Sequence, residues 1–123
     1  MARWFSDNLK AEFRALQMWH ILVCAAKNRQ TVTYKLLAKH MGYEKAAGVL
    51  ANSLGHVAFY CKQNRLPPLT ALVVNEKTGM PGEGIPIEKS LSKREKVFAF
   101  AWFDVIPPSP EELRNAAIEG RGL

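Results

Sequence analysis

Apolar residues recur at helical spacing along the first part of the chain. Leu9, Phe13, Leu16, His20 and Val23 lie three or four apart, and Trp19, Ile21 and Leu22 widen that face. The pattern predicts a helix capped by Ser6 or Asp7, running to about Lys27 and central to the core. Asn28 ends it, and Arg29-Gln30 lead into a short extended Thr31-Val32. Thr33 is placed to cap a second helix from Tyr34 to about Met41, with Gly42 as a left-handed stop. A third helix is expected from near Glu44 to Gln63, with Leu50, Leu54, Val57 and Cys61 facing inward. Gly48 and Gly55 fall inside it, each costing about 1 kcal/mol relative to Ala. Either the backbone meets a close neighbour at these points, or the helix breaks at Gly55.

The pattern changes at Leu66-Pro67-Pro68, which cannot continue a helix. Leu69 to Val74 (LTALVV) reads as a strand and Asn75 to Gly79 as a turn. Met80 to Pro86, rich in Gly and Pro, would be a returning edge strand or a loop. Ser92-Lys93-Arg94-Glu95 has the form of a capping box that opens a helix through Val97, Phe98, Ala101 and Trp102. The segment VFAFAWFDVI also alternates well enough for a strand. Ser109-Pro110-Glu111-Glu112 opens a last helix that ends before Gly120. The fold class expected is α+β: a mainly helical single domain over residues 1–123, with a winged-helix-like helix-turn-helix at about 31–86 and a small β-hairpin.

Composition narrows the classes. The chain has 123 residues, enough for one core and too few for two comfortable domains. No apolar run approaches the roughly 18–20 residues of a membrane-spanning helix. The opening MARWFSDNLKAEFR carries Asp7 and Glu12 and lacks the apolar core of a secretory signal. A cytoplasmic protein is expected, with no membrane partner. Cys24 and Cys61 fall in predicted helices without a CxxC spacing or a His in metal register, so two buried thiols are expected, and no metal or cofactor.

The net charge of +6 is uneven. Residues 1–65 hold ten Lys/Arg against three Asp/Glu, whereas residues 66–123 hold seven against eight. A basic half favours a polyanionic partner and faster association with it.

The stretch from Thr31 to Leu54 gives that charge a possible shape. Two helices meeting at a glycine turn let the second lie in a DNA groove while the first crosses the backbone. Thr33, Tyr34, Lys35, Lys39 and Lys45 are candidate phosphate contacts, Asn52 and His56 face bases, and Lys77 reaches from the wing. Asn52 would pair bidentately with adenine. Among the histidines, His20 is expected in the core and His40 at the surface. His56, Lys62, Glu76 and Lys77 are what a nuclease would have to use, but no spacing enforces it. Phe98, Phe100, Trp102 and Phe103 could stack bases, although core packing is the commoner use of such residues. Trp4 and Phe5 lie outside any strong element.

Thr33, Tyr34, Leu37, Ala38, Gly42, Ala46, Ala47, Leu54, Pro67, Val73, Val74 and Gly79 stand in an order that resembles a known family. It is the C-terminal winged-helix domain of the alkylguanine-DNA alkyltransferases and alkyltransferase-like proteins. The resemblance covers about 32–84 and implies a helix-turn-helix bound in the minor groove, with Tyr34 where a family tyrosine helps rotate a nucleotide out of the duplex. The chain departs from the family at its chemistry. Pro67-Pro68-Leu69-Thr70 stands where the family has Pro-Cys-His-Arg, and the family's arginine finger falls near Gly48. Without the cysteine there is no group to accept an alkyl chain. The resemblance implies a shape rather than a reaction.

The expectation is a non-catalytic nucleic-acid-binding accessory or regulatory protein of bacterial or phage type, with DNA favoured. The alternatives are a small nuclease or toxin, and a protein-interaction factor that inhibits a nucleic-acid enzyme.

Overall fold

Helix formation dominates because the apolar positions keep to helical spacing almost throughout. A computed structural model describes residues 1–44, 50–76 and 87–122, with backbone alone at 87–90. The elements are α1 (Ala11–Lys27), β1 (Val32–Thr33), α2 (Tyr34–His40), α3 (Ala51–Gln63), β2 (Val73–Val74), α4 (Ile87–Ala99) and α5 (Pro110–Gly120). Short 3-10 turns occupy Phe5–Asp7, Leu69–Leu72 and Trp102–Asp104. The described residues are mainly helical, with one small sheet.

The core is built around α1. Met18, Trp19, Leu22 and Ala26 are buried, and α1 packs against α3, α4 and α5. Trp19 meets Tyr60 of α3 at 5.6 Å and Trp102 at 5.7 Å, both nearly edge-on. That is the favoured arrangement of two ring quadrupoles. The Trp102 indole nitrogen, removed from water, donates to the Val97 carbonyl at 2.7 Å. Leu37 from α2, Val57 and Cys61 from α3 and Leu113 from α5 complete one continuous cluster.

Local signals explain most helix ends. Thr33 Oγ1 accepts the Leu36 N–H at 3.0 Å, and Ser109 with Glu112 forms a reciprocal capping box with Pro110 in the first turn. The first helix begins later than Ser6 or Asp7 would set it. Those residues belong to the 3-10 turn, and Asn8 Oδ1 accepts the Lys10 N–H just before Ala11. Ser92 and Glu95 do not start a helix either, because α4 is already under way at Ile87. Three helices close with the same pair of backbone bonds around a left-handed residue: Arg29 (φ 53°), Gly42 (φ 85°) and Arg65 (φ 56°). An arginine in that conformation costs about 1–2 kcal/mol. At Arg29 an ion pair to Glu95 and a position over the Phe98 ring hold the guanidinium against α4.

Two further expectations change. Leu69–Leu72 is a 3-10 turn, and only Val73–Val74 is strand. A strand would point Leu69 and Leu72 to opposite faces, whereas three-residue periodicity buries both. The strand β2 pairs in parallel with β1, Val32 beside Val73 and Thr33 beside Val74, so the sheet among the described residues joins β2 to an earlier part of the chain. The expected turn and return strand at 77–86, and the start of the third helix at 45–49, lie outside the described residues. Helix α3 runs unbroken through Gly55, where an added Cβ would stand 3.0 Å from Arg121 Nη2. That neighbour is the movable end of an exposed side chain, so the helix neither breaks at Gly55 nor needs the glycine for close packing.

Arg14 is an arginine in the interior, 6% exposed. Its Nη1 donates to the Met41 carbonyl and to Gln17 Oε1, both at 2.9 Å, and its guanidinium lies over the Tyr43 ring. Replacement by methionine keeps much of the packing but strands the Met41 carbonyl. Arg14→Met should lower unfolding free energy by about 1–3 kcal/mol; an unchanged urea midpoint would contradict the assignment.

Burial pushes the Cys61 thiol from 9.0 up to about 11, against a smaller opposing pull from the Leu69 backbone hydrogen bond. Burial, then the Glu112 charge, also raises Tyr60. The unfolded thiol loses its proton first, so the stability this shift provides is full below pH 9 and is lost as pH rises to about 11. Urea unfolding followed across that interval should show a loss of about 2–3 kcal/mol from Cys61, and a flat profile would count against it.

Candidate nucleic-acid interface

The shortest helix carries the most exposed candidate contacts. Leu37 and Ala38 of α2 turn inward, and Met41 follows them into the core. Tyr34, Lys35, Leu36, Lys39 and His40 face solvent. Lys35 and Lys39 are four residues apart and share one side of the helix. Neither makes an ion pair among the described residues. Thr33 is half-buried; its oxygen is engaged as the helix cap, but its hydroxyl proton remains available to donate.

The first part of the chain supports this face by leaving acids out. No Asp or Glu occurs between Glu12 and Glu44, so neither α1 beyond its first turn nor α2 carries a carboxylate. Not every cation there is a free surface charge. Arg14 is internal, and Arg29 is paired with Glu95. Lys27, Lys35 and Lys39 remain exposed.

Helix α3 is less free than its sequence pattern suggests. Ser53 Oγ donates to the Ala11 carbonyl at 3.0 Å, tying one side to the start of α1. Gln63 Nε2 donates to the Ala116 carbonyl at 2.8 Å, tying the other side to α5. Where α5 ends, a Cβ on Gly120 would collide with the Phe59 ring, so only a glycine lets the two helices approach so closely. Arg121 then crosses to Asn52, with Nη2 to Oδ1 at 2.8 Å.

These contacts revise two of the expected base-facing residues. His56 is 5% exposed, and its Nδ1 bonds the Asn52 carbonyl at 2.8 Å. A carbonyl only accepts, so Nδ1 carries the proton. The ring belongs to the inward side of α3 with Ser53 and Val57, not to its exposed face. Asn52 is exposed, but its amide oxygen is engaged by a guanidinium that can only donate. Its free amide hydrogens can donate to a guanine edge or a phosphate. Pairing with adenine would require that oxygen to be released. Lys45 and Lys77 lie outside the described residues.

Other expectations shift in the same way. His20 is exposed and meets the Phe5 ring edge-on at 5.9 Å, instead of packing in the core. Cys24 is exposed and Cys61 buried, so the thiols are not alike. Phe98 and Phe100 are half-buried and Trp102 is fully packed, whereas Phe103 projects outward beside Lys27. Trp4 is exposed. Lys62 and Glu76 are exposed, but the histidine a nuclease would pair with them is enclosed. Among the described residues no three His, Cys, Asp or Glu are grouped to hold a metal ion. No described helix is long and apolar enough to cross a membrane.

Sequence reasoning missed Arg14 and Arg121. Arg14 stands four residues before Met18 on the inward face, a signal available in the periodicity but hidden by its charge. Nothing local marks Arg121, because its partners lie on α3, far away in the chain.

Comparison of the chain with protein-family models, with curated proteins and with solved structures finds no match in any of the three.

Cys24 and Cys61 give a direct check on this arrangement. A thiol reagent should modify Cys24 in the native protein and reach Cys61 only on unfolding. Equal reaction of both thiols without denaturant would show that α3 is not packed as described.

Proposed function

We propose that the protein binds nucleic acid without catalysis, DNA being the favoured form, and that α2 leads the contact. The observation that carries this is the exposed Lys35–Lys39 pair on a helix without carboxylates, within a stretch of sequence that has no Asp or Glu between Glu12 and Glu44. Cations on a rigid helix hold a fixed spacing toward phosphates and release condensed counterions on binding. Tyr34 stands beside them with a ring and a hydroxyl, and Thr33 adds a donor at the helix start. On this reading Asn52 and Arg121 form a second, donor-rich contact where α3 begins. The protein acts as an accessory or regulatory factor in the cytoplasm.

The nuclease reading has less support, since buried His56 offers no base to a substrate at the surface. The likeness to alkyltransferase winged-helix domains bears on shape alone, because Pro67-Pro68-Leu69-Thr70 provides no nucleophile.

Duplex binding should weaken with salt. Replacing Lys35 and Lys39 by alanine should reduce the slope of log affinity against log salt by about 0.9 for each phosphate no longer neutralised. Lys35→Glu with Lys39→Glu should remove most of the affinity while leaving the melting temperature near that of the parent. Fluorescence anisotropy on a labelled duplex measures the affinity and its salt slope, and thermal unfolding the melting temperature. An absence of salt-sensitive affinity for any nucleic acid would sink the proposal.

A further inference from the structure

Between α1 and α2 runs an open groove of about 450 Å³. Ile21, Ala25, Val32 and Leu36 give it apolar walls. Gln17, His20, Asn28, Gln30, Thr31 and His40 place amide, imidazole and hydroxyl groups around them. Its volume falls in the range of small-ligand pockets, roughly 300–1,000 Å³, which likewise combine apolar walls with a few hydrogen-bonding groups.

We propose that this groove receives one nucleotide of an unpaired strand. A base has two apolar faces and an edge of donors and acceptors, which suits apolar walls ringed by amides and imidazoles. Charge selects the rest of the ligand. The groove lining contains no carboxylate, and both walls lie within the acid-free stretch between Glu12 and Glu44. Leu36 and His40 form one row of α2, four residues apart, and both line the groove. Lys35 and Lys39 form the adjacent row and face solvent. A nucleotide seated against Leu36 therefore has its phosphates beside those two lysines. The inference rests on the nucleic-acid reading of α2 and adds to it a seat for a base, with duplex contacts left to the lysines.

Cys24 lies in the groove wall and is exposed, while Cys61 is buried with its thiol pushed up to about 11. Alkylation of the native protein by N-ethylmaleimide thus reports on the groove. The rate is followed with the protein alone, with a short single-stranded oligonucleotide, with the duplex of the same sequence, and with free mononucleotides. Anisotropy establishes occupancy in each case. The single strand should slow Cys24 alkylation about ten-fold, and the duplex should leave it nearly unchanged.

Salt-sensitive binding of the strand with Cys24 still reacting at full rate would overturn the groove and leave the nucleic-acid reading standing. No binding by either strand or duplex would remove both. Protection by a mononucleotide equal to that by the strand would assign the groove to a free small ligand instead. Equal protection by the duplex would also overturn the proposal. Leu36→Gln supplies an independent check, since Leu36 is 41% exposed and a neutral polar side chain there removes apolar wall without adding charge beside Lys35 and Lys39. It should weaken single-strand affinity about ten-fold, relieve Cys24 protection, and leave the melting temperature and duplex affinity close to the parent's. Unaltered strand affinity and protection in that variant would count against the seat.

Discussion

The position of α2 depends on one buried guanidinium. Arg14 leaves α1, donates to the Met41 carbonyl at the end of α2 and lies over the Tyr43 ring beyond the Gly42 turn. Carbonyls at a helix C-terminus lack intrahelical donors and carry partial negative charge, so a cation meets two needs there at once. Dehydrating the arginine still costs several kcal/mol, and its Nε has no partner among the described residues. The arrangement is stable because Nη1 serves both Met41 and Gln17, and because the ring of Tyr43 covers the cation. A helix of seven residues has little stability of its own. Its orientation, and therefore the direction of Lys35 and Lys39, is set by this contact together with Leu37 and Ala38 in the core.

Helix α3 is fixed by different means, and the contrast divides the labour between the two. Ser53 and Gln63 bond backbone carbonyls of α1 and α5, Phe59 fits against Gly120, and Arg121 holds Asn52. Each contact adds a modest free energy, but together they occupy two sides of the helix. A helix packed in this way makes a rigid support and has little free face with which to read a groove. The shorter α2, with one face in the core and the other in water, is better placed to meet phosphates. Asn52 and Arg121 remain exposed where α3 begins, although most of that helix is engaged.

What is legible in the sequence follows the range of the interaction concerned. The caps of α2 and α5 and the left-handed Gly42 depend on groups within a few residues, and all are readable from local pattern. The extent of α1 at its C-terminal end follows from periodicity. The ends at Arg29 and Arg65 are unmarked, because a left-handed arginine is disfavoured locally. At Arg29 the compensation comes from Glu95 and Phe98 on another helix. His20, Cys24 and His56 lie on other sides than the pattern predicts because each borders an apolar stripe, and one residue's rotation is about 100°. Whether such a border position is buried depends on which neighbour packs there. For α3 the packing neighbours are α1 and α5, both remote in sequence. The candidate site is legible in the same measure: the α2 cations emerge from local pattern, whereas Arg121 and the groove need the helices brought together.

Net charge alone gives a misleading account of the surface. The excess of cations in the first half includes Arg14, which is internal, and Arg29, which Glu95 neutralises. What distinguishes the α1–α2 side is the absence of acids from Glu12 to Glu44, rather than a dense cluster of bases. Interactions between exposed charges are screened beyond roughly 8–10 Å at moderate salt. A few lysines with no nearby carboxylate therefore present more usable potential than a larger number interleaved with acids. Beside them the groove offers uncharged hydrogen-bonding groups and apolar walls. On the proposed reading such a surface would hold phosphates by charge and a base by shape, with α2 resting on Arg14 to keep the two side by side.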